Sequence, residues 1–397
     1  MNRLKTCRAC GAGELLGFLS LGRIPLDSLR SPHQLGAVEK RPQLELGFCP
    51  RCGLVQLLGQ AQEALETEPV YKDWRALLAQ MGVQRPKQVL ALEGCPLEFL
   101  RQLEQKGARV LYLDPHPERS QRALNRGIPT RRVRFDHTLG LQLKEEGFQS
   151  DLILAGNLLA YTHDPNGLFE GLSRVLAEGG RVVLELPHLR ELLESRRFTR
   201  FSPLQQHYFS VGALKRLALR HGLWVQQVEG LEPEWLRLYL GTEPGGPGVE
   251  RYLQEERRLG LEEAAYYLEF GSQVAALREA LLTLLTELKA RGRRIAAYGA
   301  GPESALLFNF VGLGPEVVDY LIDPDPRKQG HYLAGVYIPI QGPQRLLERP
   351  THYLLFPYED LEEVSRWLPD YLERGGRCIV ALPYPRILAH QPARVAP

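Results

Sequence analysis

Gln88-Val89-Leu90-Ala91-Leu92-Glu93-Gly94 and Arg109-Val110-Leu111-Tyr112-Leu113-Asp114 are the runs whose reading decides the fold of this chain. Each places four apolar residues in succession and then an acid. A strand covered on both faces has no polar side to show, so it reads as an unbroken apolar run rather than as an alternation. A helical stretch from Glu98 to Lys106 separates the two runs, and a second from Ser120 to Arg126 follows them. Further on come a third strand, Asp151-Leu152-Ile153-Leu154-Ala155, a helix from Leu168 to Leu176 stopped by Gly179-Gly180, and a fourth strand, Arg181-Val182-Val183-Leu184-Glu185-Leu186. Strands and helices alternating at this spacing predict a parallel, doubly wound sheet.

Beyond it, residues 250–292 read as a long linking helix. Val274, Leu277, Leu281, Leu284, Leu285 and Leu288 recur at helical spacing, with Arg278, Glu279, Glu287 and Lys289 opposite. A second, smaller α/β unit follows, with strands at Arg294–Tyr298, Val317–Asp323, Tyr353–Phe356 and Cys378–Leu382. At the other end of the chain stand Cys7-Arg8-Ala9-Cys10-Gly11 and Cys49-Pro50-Arg51-Cys52-Gly53. A C-x2-C turn lets two thiolates grip one tetrahedral ion, and two such turns complete a four-cysteine zinc site; a redox pair is the alternative. With Cys7, Cys10, Cys49 and Cys52 all bound, the ion has no open position for chemistry, so its role is structural. The fold class is thus α/β in four blocks: a small zinc-binding domain (1–70), a central doubly wound Rossmann-like domain (71–249), the linking helix (250–292) and a smaller Rossmann-like α/β domain (293–397).

The 397 residues, 44% hydrophobic and 24% charged, leave room for about two or three cores. A net charge of +2 creates no global field to recruit nucleic acid or a membrane surface. No apolar run approaches a spanning length, and the first residues offer no signal-peptide core. Thiols set out as metal ligands imply a reducing, cytoplasmic setting. A zinc ribbon reading nucleic acid is a minor alternative, because only Arg3, Lys5, Arg8 and Arg51 lie near the cysteine pairs, and phosphate binding needs a basic stripe.

Ligands of a doubly wound sheet bind at the carboxyl ends of its strands. Asp114 ends the second strand, where a carboxylate accepts the two hydroxyls of an adenosine ribose; its structural alternative is a loop acid opening the Asp114-Pro115 turn. The loop after the first strand, Glu93-Gly94-Cys95-Pro96-Leu97, has one glycine, Gly94, and suits a cofactor without a diphosphate better than a dinucleotide. Asn157 follows the third strand and is placed to bond an adenine or backbone. His188, after the fourth strand, and His207, in Gln205-Gln206-His207-Tyr208, are the candidate bases, each weighed against an ordinary hydrogen-bonded histidine. In the C-terminal unit, Tyr298-Gly299-Ala300-Gly301 has the form of a phosphate cradle, with Asp323 and Lys328 beyond the next strand, although Glu303 opposes a diphosphate.

Taken together, these pieces resemble the S-adenosylmethionine-dependent C-methyltransferases of nucleotide-linked deoxysugars. The resemblance runs almost end to end. It is carried by both cysteine turns, Leu21-Gly22-Arg23-Ile24-Pro25-Leu26, Glu185-Leu186-Pro187-His188, Tyr208-Phe209-Ser210-Val211-Gly212, Ala297-Tyr298-Gly299-Ala300, Lys328-Gln329-Gly330 and Ile338-Pro339-Ile340. It implies Zn2+ in the N-terminal domain and S-adenosylmethionine in the central one, with Gly94, Asp114 and Asn157 as cofactor ligands. A small-molecule acceptor, a nucleotide-sugar, would be held by Tyr298, Gly299, Gly301, Asp323, Lys328 and Arg237. It further implies a base that removes a proton beside a keto group, so that the enolate attacks the methyl sulfonium.

The chain departs from the family at the working positions. The family's glycine-rich cofactor loop becomes Glu93-Gly94-Cys95-Pro96-Leu97, and its Tyr-His-Glu-His loop becomes Ser202-Pro203-Leu204-Gln205 when aligned without gaps, or Leu204-Gln205-Gln206-His207 when two residues are deleted. Its Gly-Gly-Ser-Leu-Arg segment becomes Pro233-Glu234-Trp235-Leu236-Arg237, its cradle lysine becomes Glu303, and the cover segment from Tyr71 to Val89 is short. Two readings follow: a methyltransferase with a rearranged site, or a catalytically inactive homologue acting as a binding or scaffold protein.

Overall fold

Both decisive runs become strands of one seven-stranded sheet in the computed structural model, which describes residues 4–59, 77, 86–231, 234–348, 351–358 and 369–388. The strand order is Trp224–Leu231, Trp235–Gly241, Leu176–Pro187, Ser150–Gly156, Gln88–Leu92, Arg109–Leu113, Thr130–Arg131. Pairing is parallel from Leu176–Pro187 through to Thr130–Arg131. Leu90, Leu92, Leu111, Leu113 and Ile153 belong to one buried cluster, while Val89, Ala91, Val110, Tyr112, Leu152 and Leu154 belong to another. Alternate residues of each strand therefore enter different cores, which is why the runs show no polar face.

The expected parallel, doubly wound sheet is extended at one edge by a hairpin that the sequence reading did not include. Trp224–Leu231 and Trp235–Gly241 form an antiparallel hairpin that pairs antiparallel with Leu176–Pro187. A helix at His137–Glu145 was also not anticipated. Asp136 caps it by accepting from the Leu139 amide at 2.8 Å, and it lies against Pro165–Val175, which Asp164 caps through Gly167 at 2.9 Å. A Cβ on Gly140 would stand 2.6 Å from the Gly171 Cα, so these two helices meet backbone to backbone.

The linking helix is two helices. Pro247–Leu259 ends where Gly260 turns left-handed (φ 81°), and the 27-residue Ala264–Ala290 carries the expected stripe, with Val274, Leu277, Leu281, Leu285 and Leu288 buried. The C-terminal sheet has six strands in the order Ile340–Gln341, Tyr320–Ile322, Ile295–Tyr298, Tyr353–Phe356, Arg377–Val380, Arg386–Ile387, parallel except for the last. The strand expected over Val317–Asp323 is confined to Tyr320–Ile322.

By compactness the chain divides into two units. One comprises Met1–Gly17, Leu46–Glu191 and Leu204–Tyr267; the other comprises Phe18–Glu45, Leu192–Pro203 and Leu268–Pro397. The excursion between the two cysteine turns thus belongs to the second unit, a division that cuts across the linear blocks. The 70/71 boundary, Pro233 and most of the Tyr71–Val89 segment lie outside the described residues. Among the described residues no helix is long and apolar enough to cross a membrane.

Candidate metal centre and strand-end sites

The two cysteine turns bring four sulfurs together. The Sγ atoms of Cys7, Cys10, Cys49 and Cys52 all lie within 4.8 Å of one another, with Cys7–Cys52 and Cys10–Cys49 each at 3.5 Å. Four sulfurs about 2.3 Å from one tetrahedral zinc stand roughly 3.8 Å apart, so the donor set fits the ion. Each turn is closed by its own backbone: Gly11 N donates to Cys7 O and Gly53 N to Cys49 O, both at 2.8 Å. Glycine is favoured at Gly53 by its φ of +76°, and the Arg216 guanidinium lies over the space a Cβ would take. The hydrogen bond shared by Cys7 and Cys52 lowers the first thiol and raises the second.

The cluster is docked on the central domain by side-chain-to-backbone bonds. Arg216 Nε donates to Cys52 O at 3.0 Å, Arg220 Nη1 to Ala9 O at 2.5 Å, and Asn166 Nδ2 to Arg8 O and Ala9 O at 3.0 and 3.1 Å. Both arginines lie on the helix Val211–Arg220. Ser210 caps that helix, and Glu256, 3% exposed, accepts from the Val211 and Gly212 amides at 2.6 and 2.9 Å. Sequence reasoning did not find these docking residues.

At the carboxyl ends of three neighbouring parallel strands stand Glu93, Asp114 and Asn157, all buried. Asp114 is completely covered, and four donors saturate it. Tyr112 Oη (2.5 Å) and Arg119 Nε (2.8 Å) reach Oδ2; the His116 amide (2.9 Å) and Arg119 Nη2 (3.1 Å) reach Oδ1. Arg119 Nη2 is also 3.8 Å from Glu93, whose carboxyl is raised above its ordinary range, chiefly by burial. The Gly94 amide (φ 85°) donates to Tyr112 Oη at 3.3 Å. Three polar atoms in this neighbourhood are buried without a hydrogen-bond partner among the described residues: Asn157 Oδ1, His116 Nδ1 and Arg119 Nη1. Buried polar atoms left this way call for a water, an ion or a polar ligand, and an acceptor beside two nitrogen groups is compatible with the polar edge of an adenosine. Sequence reasoning missed Arg119; its only signal was a basic residue in the first turn of the helix after Asp114.

The two histidines differ in placement. His207 belongs to the short strand His207–Tyr208, which pairs with Val55–Leu57 beside the second cysteine turn. Its Nδ1 lies 3.2 Å from Leu159 O, two residues beyond Asn157, and Gln206 N donates to Ala160 O. It therefore sits near the strand-end crevice, 1% exposed, and burial lowers it to about 3. His188 is equally buried, with Nδ1 3.0 Å from Glu191 Oε1, and burial lowers it to about 4. Both rings are neutral at neutral pH. Arg237 is 1% exposed inside the sheet, opposite Glu185, to which its Nε donates at 2.7 Å. The pair ties the hairpin to the neighbouring strand Leu176–Pro187.

In the second unit, Tyr298, Gly299, Gly301, Glu303, Asp323 and Lys328 line a cavity of about 370 Å³ at the strand ends. Asp323 accepts from Ala300 N and from Lys328 Nζ, both at 2.8 Å. Glu303 accepts from Thr199 Oγ1 (2.9 Å) and Arg197 Nη2 (3.0 Å), with Arg200 Nη1 at 3.3 Å. The carboxylate expected to repel an anion is thus faced by two guanidinium groups. Tyr298 and Phe356 form an aromatic wall, with centroids 5.2 Å apart.

A zinc knot, a Rossmann-like sheet with a polar strand-end crevice and a second α/β unit define an S-adenosylmethionine-dependent methyltransferase class. Family models match the chain in the same three parts: "Putative zinc binding domain" over residues 7–64, "Methyltransferase domain" over 66–228, and "C-methyltransferase C-terminal domain" over 236–383. The chain therefore carries a zinc-binding domain, a methyltransferase domain and a C-methyltransferase C-terminal domain, in that order. It is 27% identical to C-methyltransferase NovU of Streptomyces niveus over 96% of each chain. Among solved structures it resembles an S-adenosylmethionine dependent methyltransferase of Mesorhizobium loti (19% identity, 42% of this chain and 96% of that one, TM-score 0.34). It also resembles the N-methyltransferase NodS of Bradyrhizobium japonicum (16%, 42% and 93%, TM-score 0.32).

Proposed function

We propose that this protein transfers a methyl group to a carbon atom of a nucleotide-linked keto-deoxysugar in the cytoplasm. The observation that supports this most is the end-to-end, three-part likeness to a C-methyltransferase. Bound S-adenosylmethionine supplies an electrophilic methyl group. Asn157 and Asp114 provide the polar contacts for its adenosine. Tyr298, Gly299, Gly301, Asp323 and Lys328 receive the nucleotide part of the acceptor. His207 is the preferred base, because its Nδ1 is held by the Leu159 carbonyl while Nε2 has no partner among the described residues. The base breaks a C–H bond beside the carbonyl and takes the proton. The electron pair then forms the new C–C bond while the C–S bond breaks, leaving S-adenosylhomocysteine.

The test is turnover of the zinc-loaded chain with S-adenosylmethionine and a keto-deoxysugar nucleotide, read as S-adenosylhomocysteine and methylated sugar. His207→Ala should lower the rate at least ~100-fold, the usual scale of general-base catalysis. Unchanged turnover removes His207 from the role. Saturation of Asp114 and the neutral, covered state of both histidines favour a second reading, a homologue that keeps the fold without turnover. Absence of product from any keto-sugar nucleotide supports that reading.

A further inference from the structure

The carboxylate placed to receive the cofactor ribose is already taken by this chain's own guanidinium. A vicinal diol binds a strand-end acid by donating two hydroxyl hydrogens to it. On Asp114 those acceptor positions are filled by Arg119 Nε and Nη2 at 2.8 and 3.1 Å, while Tyr112 Oη and the His116 amide occupy the others. Tyr112 and His116 are anchored by strand and backbone. Arg119 is the one donor of the set on a long, flexible stem, and its side chain is 16% exposed. It is also held incompletely, since Nη1 is buried without a partner among the described residues. Asn157 Oδ1, at the end of a strand two places away in the same sheet, likewise lacks a donor. The crevice thus keeps unmet polar capacity at one strand end while another is closed by an internal ion pair.

We propose that Arg119 is a resident competitor for the adenosine diol, so that the cofactor gains Asp114 only when the guanidinium swings into solvent. This rests on the reading of Asp114 as a cofactor ligand and adds to it a residue that sets cofactor affinity. Two bonds in which donor and acceptor are both charged must be exchanged for two hydroxyl bonds in which only the acceptor is charged. Binding is therefore penalised by the internal pair, and removing the pair should tighten it.

Isothermal titration of the zinc-loaded full chain with S-adenosylmethionine and S-adenosylhomocysteine tests this. Arg119→Met should bind both at least about tenfold more tightly than the parent. Arg119→Lys, which keeps the charge but loses the fork, should tighten binding by a smaller factor. Asp114→Asn combined with Arg119→Met should return binding to the weak level. Retained zinc and cooperative unfolding show that each variant is folded; if Arg119→Met fails this check, Arg119→Lys decides. Parent and folded Arg119 variants binding alike would overturn the inference while leaving the cofactor reading intact. No binding by any of them would overturn both.

Discussion

The cysteine cluster and the central strand-end crevice belong to the same compact unit, yet they handle unsatisfied groups in opposite ways. In the cluster, four sulfurs converge at 4.8 Å or less, and the surrounding cations, Arg216 and Arg220, bond backbone carbonyls rather than the sulfurs. The donor set is organised around something the chain does not itself provide. In the crevice, Asp114 is completed from within by Tyr112, Arg119 and the His116 amide. One region is built to be finished by an ion; the other is largely finished by itself. A structural site gains folding energy from its ligand, whereas a binding site that pairs its own groups gives up affinity for a folded resting state.

The largest effect should come from the region that needs its ion. Removing zinc with a strong chelator, or Cys49→Ser, should lower the thermal midpoint by roughly 20 °C or more, because structural zinc contributes on the order of 10 kcal/mol and the docked helix loses its partners. Adding S-adenosylmethionine to the parent should raise the midpoint far less. A chelated protein that melts at the parent temperature, by scanning calorimetry, would break the contrast at its first term.

A smaller loss is expected where the sheet completes itself with charge. Arg237→Met leaves Glu185, fully covered, without its ion-pair partner. Stranding one partner of a buried pair costs about 3–5 kcal/mol. Urea unfolding should show that loss, and Glu185→Gln with Arg237→Met should recover part of it, because no buried charge then remains. If Arg237→Met unfolds like the parent but loses acceptor binding, Arg237 belongs with the ligand residues after all.

The same contrast explains what the sequence disclosed. The cysteine turns were legible because metal ligation fixes spacing locally: C-x2-C and the following glycine are set within five residues. The four inner strands were legible because burial on both faces leaves an unbroken apolar run. The Trp224–Leu231 edge strand was not, because an edge strand needs only one covered face and only Val225 in it is buried; in Trp235–Gly241, buried almost throughout, Arg237 interrupts the apolar run. Arg119 was invisible for another reason. Its meaning depends on reaching back five positions to an acid across a strand-to-helix turn, and nothing in Pro117-Glu118-Arg119-Ser120 distinguishes that from a solvated helix start. Arg197 and Arg200, brought to Glu303 from about a hundred residues away, were equally out of reach.

The smallest effect should appear where the two regions meet. His207 pairs by backbone with Gln56, close to the second cysteine turn, while its ring Nδ1 lies 3.2 Å from Leu159 O, just past the crevice. Burial, then the nearby Arg8 and His163, hold the ring down to about 3 against an ordinary 6.5. Between those values the unfolded chain binds a proton that the folded chain refuses. This group's contribution is therefore fully present above pH 6.5 and is lost as pH falls toward 3. Each pH unit within the window removes about 1.4 kcal/mol per proton. His207→Gln takes that proton away and keeps an amide donor for the Leu159 carbonyl. The stability advantage of the parent over the variant should then shrink by about 2 kcal/mol between pH 7 and pH 5, measured by urea unfolding at each pH. His188, held to about 4 by burial and Arg190, titrates alike in both proteins and cancels from the difference. A pH-independent difference would mean that the ring is solvated in the native state. The crevice would then be open at this end rather than sealed between the metal knot and the sheet.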